Sequence, residues 1–233
     1  MSTRKKSEVS YNPFAVASIL VVNTIIFGPV SGGHFNPAIT LGVLIKEIRN
    51  KESILFEVFF AFAVILSQIF GGFLGVFLSF LSISDKKDFK DIRITFLCSM
   101  LTDPEYTTEI ESYSLCNFDE DVSVNKRSEI FLVELVCSIL LVCVVLNLKY
   151  NEFYSVDKDG LMNAMAIGTI YFGMIIMSIS TSGACLNPAI GLVQSIYQKF
   201  VIEKYNFDFE VSLKTMWIYI VAPLIGGVLA SLL

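Results

Sequence analysis

Five apolar stretches of the sequence are long enough, or nearly long enough, to cross a lipid bilayer as helices. They are residues 13–30, 53–83, 130–148, 161–180 and 215–233. Crossing about 30 Å of hydrocarbon takes about 20 helical residues. Because lipid offers no hydrogen bonds to the backbone, such stretches must form helices. The sequence therefore predicts an all-α, multi-pass membrane protein.

The charged residues are concentrated in one polar stretch, residues 84–129. This stretch has eleven Asp and Glu against six Lys and Arg, which accounts for the net charge of −5. We predict that it is a long acidic loop outside the membrane. The ordinary interpretation is a solvated surface, and a docking role is the alternative.

No cysteine pattern in the sequence indicates a metal site or a cofactor. The five cysteines show no Cys-x-x-Cys or Cys/His ligand spacing. They are Cys98, Cys116, Cys137, Cys143 and Cys185. There is also no nucleophile–base pair and no phosphate-binding loop, and the acidic balance argues against nucleic acid as a partner. We therefore expect neither an enzyme nor a nucleic-acid-binding protein.

The chain contains an internal repeat. "SGGHFNPAIT" at 31–40 recurs as "SGACLNPAIG" at 182–191, and "QIFGGFLG" at 68–75 recurs as "PLIGGVLA" at 223–230. Two short motifs in matching positions indicate a duplicated unit. We predict one membrane domain, with a first repeat at 11–83, the acidic loop at 84–129 and a second repeat at 130–233.

Each copy of the Asn-Pro-Ala motif predicts the start of a short helix. Asparagine is a good N-cap and proline is tolerated in the first helical turn, so we expect helices at 37–47 and 188–199. Both are too short to span a bilayer, and paired half-helices in two repeats are typical of a pore or binding site. Asn36 and Asn187 would then meet near the membrane centre, although each could act only as an N-cap.

The repeat resembles the aquaporin and aquaglyceroporin (major intrinsic protein) family, which carries two such boxes on half-helices. "ILSQIFGGFLG" (65–75), "FLVELVCSILLV" (131–142) and "MWIYIVAPLIGGVLA" (216–230) are similar to its third, fourth and sixth membrane helices. The resemblance implies an aquaporin-like inverted repeat, here with five transmembrane helices and two re-entrant half-helices. It also implies the pore residues Asn36, Pro37, Ala38, Asn187, Pro188 and Ala189.

Two further residues acquire a role from this resemblance. His34, the single histidine of the chain, stands where the family has a histidine that orders the first loop. Glu134 stands where the family has a glutamate that braces the second Asn-Pro-Ala loop. We expect both to be structural: His34 helps to order its loop, and Glu134 accepts hydrogen bonds from N–H groups of the second loop.

The sequence departs from the family pattern before the first motif. The family places two membrane helices there, and this sequence has room for one, residues 13–30. The helix without a counterpart carries a bracing glutamate in the family and contributes to its homotetramer. We therefore expect a hetero-complex in which a membrane-protein partner supplies a helix beside 13–30.

A second departure concerns the selectivity filter. The family has an arginine three residues after the second asparagine, and this chain has Ile190. The other constriction positions correspond to Val16, Ile175 and Ala184, so all four are apolar. An apolar neck offers no hydrogen bonds to replace a permeant's hydration, and it closes easily by dewetting.

Two functions follow from these departures. One is an aquaporin-like channel for water or a small neutral solute, with an atypical apolar filter. The other is a non-conducting structural subunit, derived from an aquaporin, within a larger membrane complex.

The distribution of basic residues bears on orientation and location. Twelve Lys and Arg lie on the side of the N-terminus and five on the other side. The positive-inside rule then places the N-terminus inside, opposite to the family. This predicts an organelle, and we favour the mitochondrial inner membrane over the plasma membrane.

Overall fold

The computed structural model describes residues 13–50, 54–82, 123–150, 156–179, 181–204 and 210–233. Seven helices account for nearly all of them, and these residues contain no strand. The helices are α1 (Pro13–Ser31), α2 (Pro37–Asn50), α3 (Ile54–Ser82), α4 (Ser123–Tyr150), α5 (Val156–Ser178), α6 (Pro188–Lys204) and α7 (Glu210–Leu232). The all-α prediction is confirmed.

Four of the described helices are long and apolar enough to cross a membrane. Their apolar parts are Pro13–Ser31, Ile54–Ser79, Arg127–Tyr150 and Gly160–Ser178. The fifth predicted span is α7, whose apolar part, Met216–Leu232, is shorter. By length and composition, the chain is a multi-pass membrane protein.

Five helix boundaries lie three or more residues beyond the sequence predictions. α5 begins at Val156 and α7 at Glu210, ahead of the predicted starts at 161 and 215. The other three belong to α4, α2 and α6. α4 begins at Ser123, inside the stretch predicted as the acidic loop, and residues 84–122 of that stretch lie outside the described residues. α2 continues to Asn50 and α6 to Lys204, beyond the predicted ends at 47 and 199. All three extensions contain Lys, Arg or Glu, which have adequate helix propensity, so a change to polar residues does not end the helix.

The helices pack in two halves related by an approximate twofold symmetry. α2 contacts α3 as α6 contacts α7, and α2 contacts α7 as α6 contacts α3. α1 and α5, the counterparts of one another, contact each other. Among the described helices, α4 alone has no counterpart, and it packs against α7, α5 and α2.

The interior lies along α4 and α7, where small residues allow close contact. Gly226 lies against Ser138 and the carbonyl oxygen of Leu135, both on α4. Gly227 lies against the carbonyl oxygen of Ala38 at the start of α2. Such close approach by small residues is how helices associate in lipid, where apolar side chains gain nothing by leaving the solvent.

Candidate functional site

The two Asn-Pro-Ala motifs meet directly. The side-chain Nδ2 of Asn36 donates to the carbonyl oxygen of Leu186 at 2.8 Å, and Nδ2 of Asn187 donates to that of Phe35 at 2.9 Å. Each asparagine thus bonds the residue that precedes the other. This reciprocal exchange joins the starts of α2 and α6 across the twofold axis.

Each asparagine also caps its own helix. Asn36 Oδ1 accepts the N–H of Ala38 at 2.9 Å, and Asn187 Oδ1 accepts the N–H of Ala189 at 3.0 Å. The carbonyl oxygens of the same two residues accept the first intrahelical bonds, from Thr40 and Gly191. N-capping and contact between the halves are therefore functions of the same two side chains.

The junction offers hydrogen-bond donors in a positive field. An asparagine amide has two N–H hydrogens, and one on each side chain is used in the crossing bond. The second finds no acceptor in the described residues. Because helix N-termini carry a partial positive charge, the site suits an oxygen of a neutral molecule and disfavours a cation.

The loops that lead into the motifs share an unusual backbone. Positive φ angles occur at Gly32, Gly33 and Phe35 in the first loop. They recur at Gly183, Ala184 and Leu186, the same positions of the second loop. The left-handed region costs a residue with a Cβ about 1 to 3 kcal/mol. Such a conformation persists only where the surroundings hold it in place.

Glu134 of α4 holds the second loop. Its Oε1 accepts the hydroxyl of Ser182 at 2.6 Å and the N–H of Cys185 at 3.0 Å, and its Oε2 accepts the N–H of Leu186 at 2.7 Å. The side chain is fully buried. Tyr219 of α7 adds a bond from its hydroxyl to the carbonyl oxygen of Ser182 at 2.9 Å.

The first loop is held differently. Gln68 of α3 donates through Nε2 to Thr40 Oγ1 at 3.0 Å, and Thr40 Oγ1 donates to the carbonyl oxygen of Asn36 at 3.1 Å. His34 is buried, with 8% of its surface exposed, and neither ring nitrogen bonds a described residue. Within the described part of the chain, the His34 side chain therefore forms no hydrogen bond that would brace the loop.

The structure brings together two of the four predicted constriction residues. Ile175 and Ala184 belong to one apolar cluster beside the junction, with 0% and 1% of their surfaces exposed. Ile190 packs against a different cluster, which contains Cys185. Val16 is 36% exposed. Their joint role as a constriction stays a prediction.

Several residues of the site were not singled out from the sequence. Ser182 and Tyr219 take part in the hydrogen bonds that hold the second loop. Leu186 belongs to the apolar cluster of Ile175, and Leu20 packs against it. The repeat gives a signal for Ser182, which aligns with Ser31. No pattern in the sequence indicates Tyr219, because its partner lies 37 residues away.

A family model described as Major intrinsic protein matches residues 2–233. Glycerol uptake facilitator protein-like 6 of Lactiplantibacillus plantarum is 26% identical over 227 residues, covering 97% of this chain and 84% of that protein. Aquaporin-8 of Notomys alexis is 29% identical over 214 residues, covering 92% of this chain and 64% of that protein. The chain therefore spans less than two thirds of that aquaporin.

Proposed function

The chain belongs to the major intrinsic protein family and is a membrane channel protein rather than an enzyme, and we propose that it passes small neutral solutes less polar than water. The relatives named above are a glycerol uptake facilitator-like protein and an aquaporin. Their names support water and glycerol-type solutes as the general class. The residues around the Asn-Pro-Ala junction narrow that class further.

The observation that carries the proposal is the reciprocal bond between the two motifs. It holds one donor of Asn36 and one of Asn187 beside each other at the ends of two opposed half-helices. A permeant oxygen can accept from both, whereas a cation meets two positive helix ends. Selection against charge then needs no arginine at the position of Ile190.

The preference for a less polar solute rests on the apolar cluster next to the junction. Ile175 and Ala184 supply no donor or acceptor through their side chains, and Leu186 packs beside them. A molecule passing them must give up hydrogen bonds to water without replacement. The fewer hydroxyl groups a solute has, the smaller this cost becomes.

The test is swelling of liposomes that contain the purified chain, with glycerol and propane-1,2-diol as matched permeants. The diol has one hydroxyl fewer than glycerol, so we expect the ratio of the two rates to exceed that of empty liposomes. Potassium flux should stay at the level of empty liposomes. Faster entry of glycerol than of the diol, corrected for empty liposomes, would contradict the apolar filter.

A second candidate function is a non-conducting structural subunit. Ile175 and Leu186 are both 0% exposed, so no water-sized molecule reaches them in this conformation. A sealed neck would preserve the fold while the chain packs within a larger assembly. Swelling no faster than empty liposomes for every solute, with correctly folded protein, would favour this function over conduction.

We also propose the mitochondrial inner membrane as the location, with the N-terminus in the matrix. The excess of Lys and Arg on the side of the N-terminus supports this orientation. Cell fractionation with an epitope-tagged chain tests the compartment. Glycosylation of a tag inserted in the acidic loop would contradict it, because that modification occurs in the secretory pathway.

A further inference from the structure

We propose that Thr24 of α1 and Asn163 of α5 form a second solute site, which binds one hydroxyl group of a small neutral solute away from the Asn-Pro-Ala junction. The inference rests on the proposed function, since it takes the permeant to be the ligand. It follows from the way α1 packs on α5 and from two buried polar groups in that interface.

α1 and α5 pack against each other in opposite directions. Near the start of α1, the ring of Phe14 meets that of Phe172 edge to face, with the ring centroids 6.4 Å apart. Further along α1, Val21 lies so close to Gly168 that a Cβ added to the glycine would overlap its side chain. As α1 proceeds, its contacts therefore move toward the start of α5, which makes the pair antiparallel.

This register brings Thr24 level with Asn163, and both residues face inward. Thr24 comes one helical turn after Leu20, and Asn163 comes one turn before Ile167. Residues four apart lie on the same face of a helix. Leu20 and Ile167 both pack against the apolar cluster that contains Ile175. The two polar residues thus continue the inner faces of α1 and α5, and Asn163 has 6% of its surface exposed.

The two side chains have the donors and the acceptor that a hydroxyl group needs. Thr24 Oγ1 and Asn163 Nδ2 are shielded from solvent, and neither forms a hydrogen bond with a described residue. Burying such groups unpaired costs about 1 to 3 kcal/mol each. One hydroxyl group can accept from Asn163 Nδ2 and donate to Thr24 Oγ1. Because neither side chain is charged, the pair suits a neutral hydroxyl rather than an ion.

The internal repeat separates this site from the predicted apolar constriction. At the offset of 151 residues, Thr24 corresponds to Ile175, and Ser18 corresponds to Thr169. The antiparallel register brings Ser18 level with Thr169, so the twofold axis passes near them. Thr24 and Ile175 each come six residues later in their own helices, which is about 9 Å of rise. They therefore lie on opposite sides of the axis, about 18 Å apart along the helices.

The first loop approaches the same end of α1 and leaves room beside Thr24. The N–H of Gly32 donates to the carbonyl oxygen of Gly28 at 2.9 Å, and Gly33 lies against the Cα of Gly28. Gly28 comes one turn after Thr24, and a Cβ added to it would meet Thr24 Cγ2 at 4.0 Å and nothing closer. His34 follows in this loop, with both ring nitrogens buried and unpaired among the described residues. A neutral imidazole donates and accepts, so this end of the interface is polar where the other is apolar.

The experiment uses the full chain in lipid nanodiscs, with its asparagines labelled with nitrogen-15 and propane-1,2-diol as the probe. NMR records the side-chain amide of Asn163, which is assigned by its loss in Asn163→Leu. The side-chain amide of Asn147 is the control in the same spectrum, because it already donates to the carbonyl oxygen of Cys143 at 3.2 Å. The shifts of both amides are followed as the diol is added.

We expect the amide of Asn163 to shift and saturate, and that of Asn147 to stay constant. Thr24→Val removes the hydroxyl with little change of shape and should raise the half-saturating diol concentration roughly fivefold, the loss of one hydrogen bond. Thr24→Ser keeps the hydroxyl and should keep the original value. Thr169→Val makes the same change at an exposed position of α5 and should also keep it. Equal half-saturation for Thr24→Val and Thr169→Val would overturn the proposal.

The outcome is separate from that of the proposed function. An Asn163 amide that responds no more than that of Asn147 would also overturn the proposal, because the two polar groups would then pair with water alone. Swelling of liposomes that contain the same protein measures conduction independently. Swelling without a response at Asn163 would contradict this site and leave the proposed function standing. A saturable response without swelling would support the site and contradict conduction.

Discussion

At the scale of single residues, the site consists of side chains that form hydrogen bonds with the backbone groups of the two loops. The loops around Phe35 and Leu186 lie in left-handed conformations that make no regular ladder of hydrogen bonds. Asn36, Asn187 and Glu134 supply the bonds instead. Because each forms several bonds at once, changing one of them affects both the loop and the junction.

Glu134→Gln should lower the stability of the second loop. Glutamine has a single acceptor oxygen and turns an NH₂ group toward a backbone donor, so at least one buried bond is lost. We expect a cost of about 2 to 3 kcal/mol, or about 4 to 12 °C in Tm. Tm is measured as the temperature at which the buried thiols of Cys137 and Cys185 begin to react with a thiol-reactive dye on heating.

The control for this variant is Tyr219→Phe. It removes the one hydrogen bond from the Tyr219 hydroxyl to the carbonyl oxygen of Ser182 and leaves the ring. The expected loss is about 1 kcal/mol. A Tm for Glu134→Gln no lower than that of Tyr219→Phe would show that the carboxylate is not the main brace.

Asn36→Asp and Asn187→Asp should lower Tm by similar amounts. Aspartate remains a good N-cap, so the cap survives, but its oxygen faces the carbonyl oxygen that the amide previously bonded. The two crossing bonds are nearly equal in length, 2.8 and 2.9 Å. Because both bonds join the same two loops, the double variant should lose less than the sum of the single variants. Full additivity would contradict direct coupling of the motifs.

At the scale of helices, packing depends on where glycine stands and what faces it. A stripe of small residues on α7 is buried, with Gly226 against α4, and it consists of Ala222, Gly226 and Ala230. The matching stripe of α3, at the offset of the repeat, is exposed and consists of Ser67, Gly71 and Gly75. The same residue type therefore has opposite tolerance to substitution in the two halves. This difference follows from the helices that face each stripe among the described residues.

Gly227→Ala should be clearly destabilising. The added Cβ would overlap the carbonyl oxygen of Ala38, which belongs to the backbone and has little room to move. We expect a cost of about 1 to 3 kcal/mol, measured as a lower Tm. Gly75→Ala, where nothing lies within 4 Å, should be neutral or stabilising by up to about 1 kcal/mol. Equal effects would mean that α7 does not pack on α2 this closely.

At the scale of the whole molecule, the described bundle is a channel fold with one closed half and one open half. α4 and α7 close the second half around Glu134. In the first half, α1 and α3 expose most of their apolar side chains, and a single residue of each is buried, Ala17 and Ala61. Contact with lipid accounts for such exposure in a multi-pass membrane protein.

Ile175→Ala should raise solute permeability if the apolar cluster forms the neck of the pore. Removing the larger side chain widens the neck and lowers the barrier to wetting, so we expect swelling with propane-1,2-diol to rise by a factor of roughly three or more. Ile176→Ala is the matched control, because Ile176 is 52% exposed on the outer face of the same helix. Equal permeability of the two variants would place the neck elsewhere.

The presence of the helices, the repeat and the resemblance to the family follow from the amino-acid sequence alone. The length of the apolar stretches, the Asn-Pro signal and the 151-residue offset between the motifs can be read from the sequence without knowledge of helix packing. The polar end of α2 and the polar start of α4 extend beyond their predicted bounds. Helix ends depend on neighbouring helices as well as on local composition, so composition alone does not locate them.

The hydrogen-bond partners of Asn36 and Glu134 follow from the tertiary structure and not from any local pattern. Asn36 bonds Leu186, 150 residues away, and Glu134 bonds a loop about 50 residues away. The tertiary structure also places Ile175 and Ile190 in two different apolar clusters, and their joint role at one constriction stays a prediction. Hydrogen bonds and burial depend on the approach of whole helices, and that approach is determined by every contact along them rather than by any local pattern.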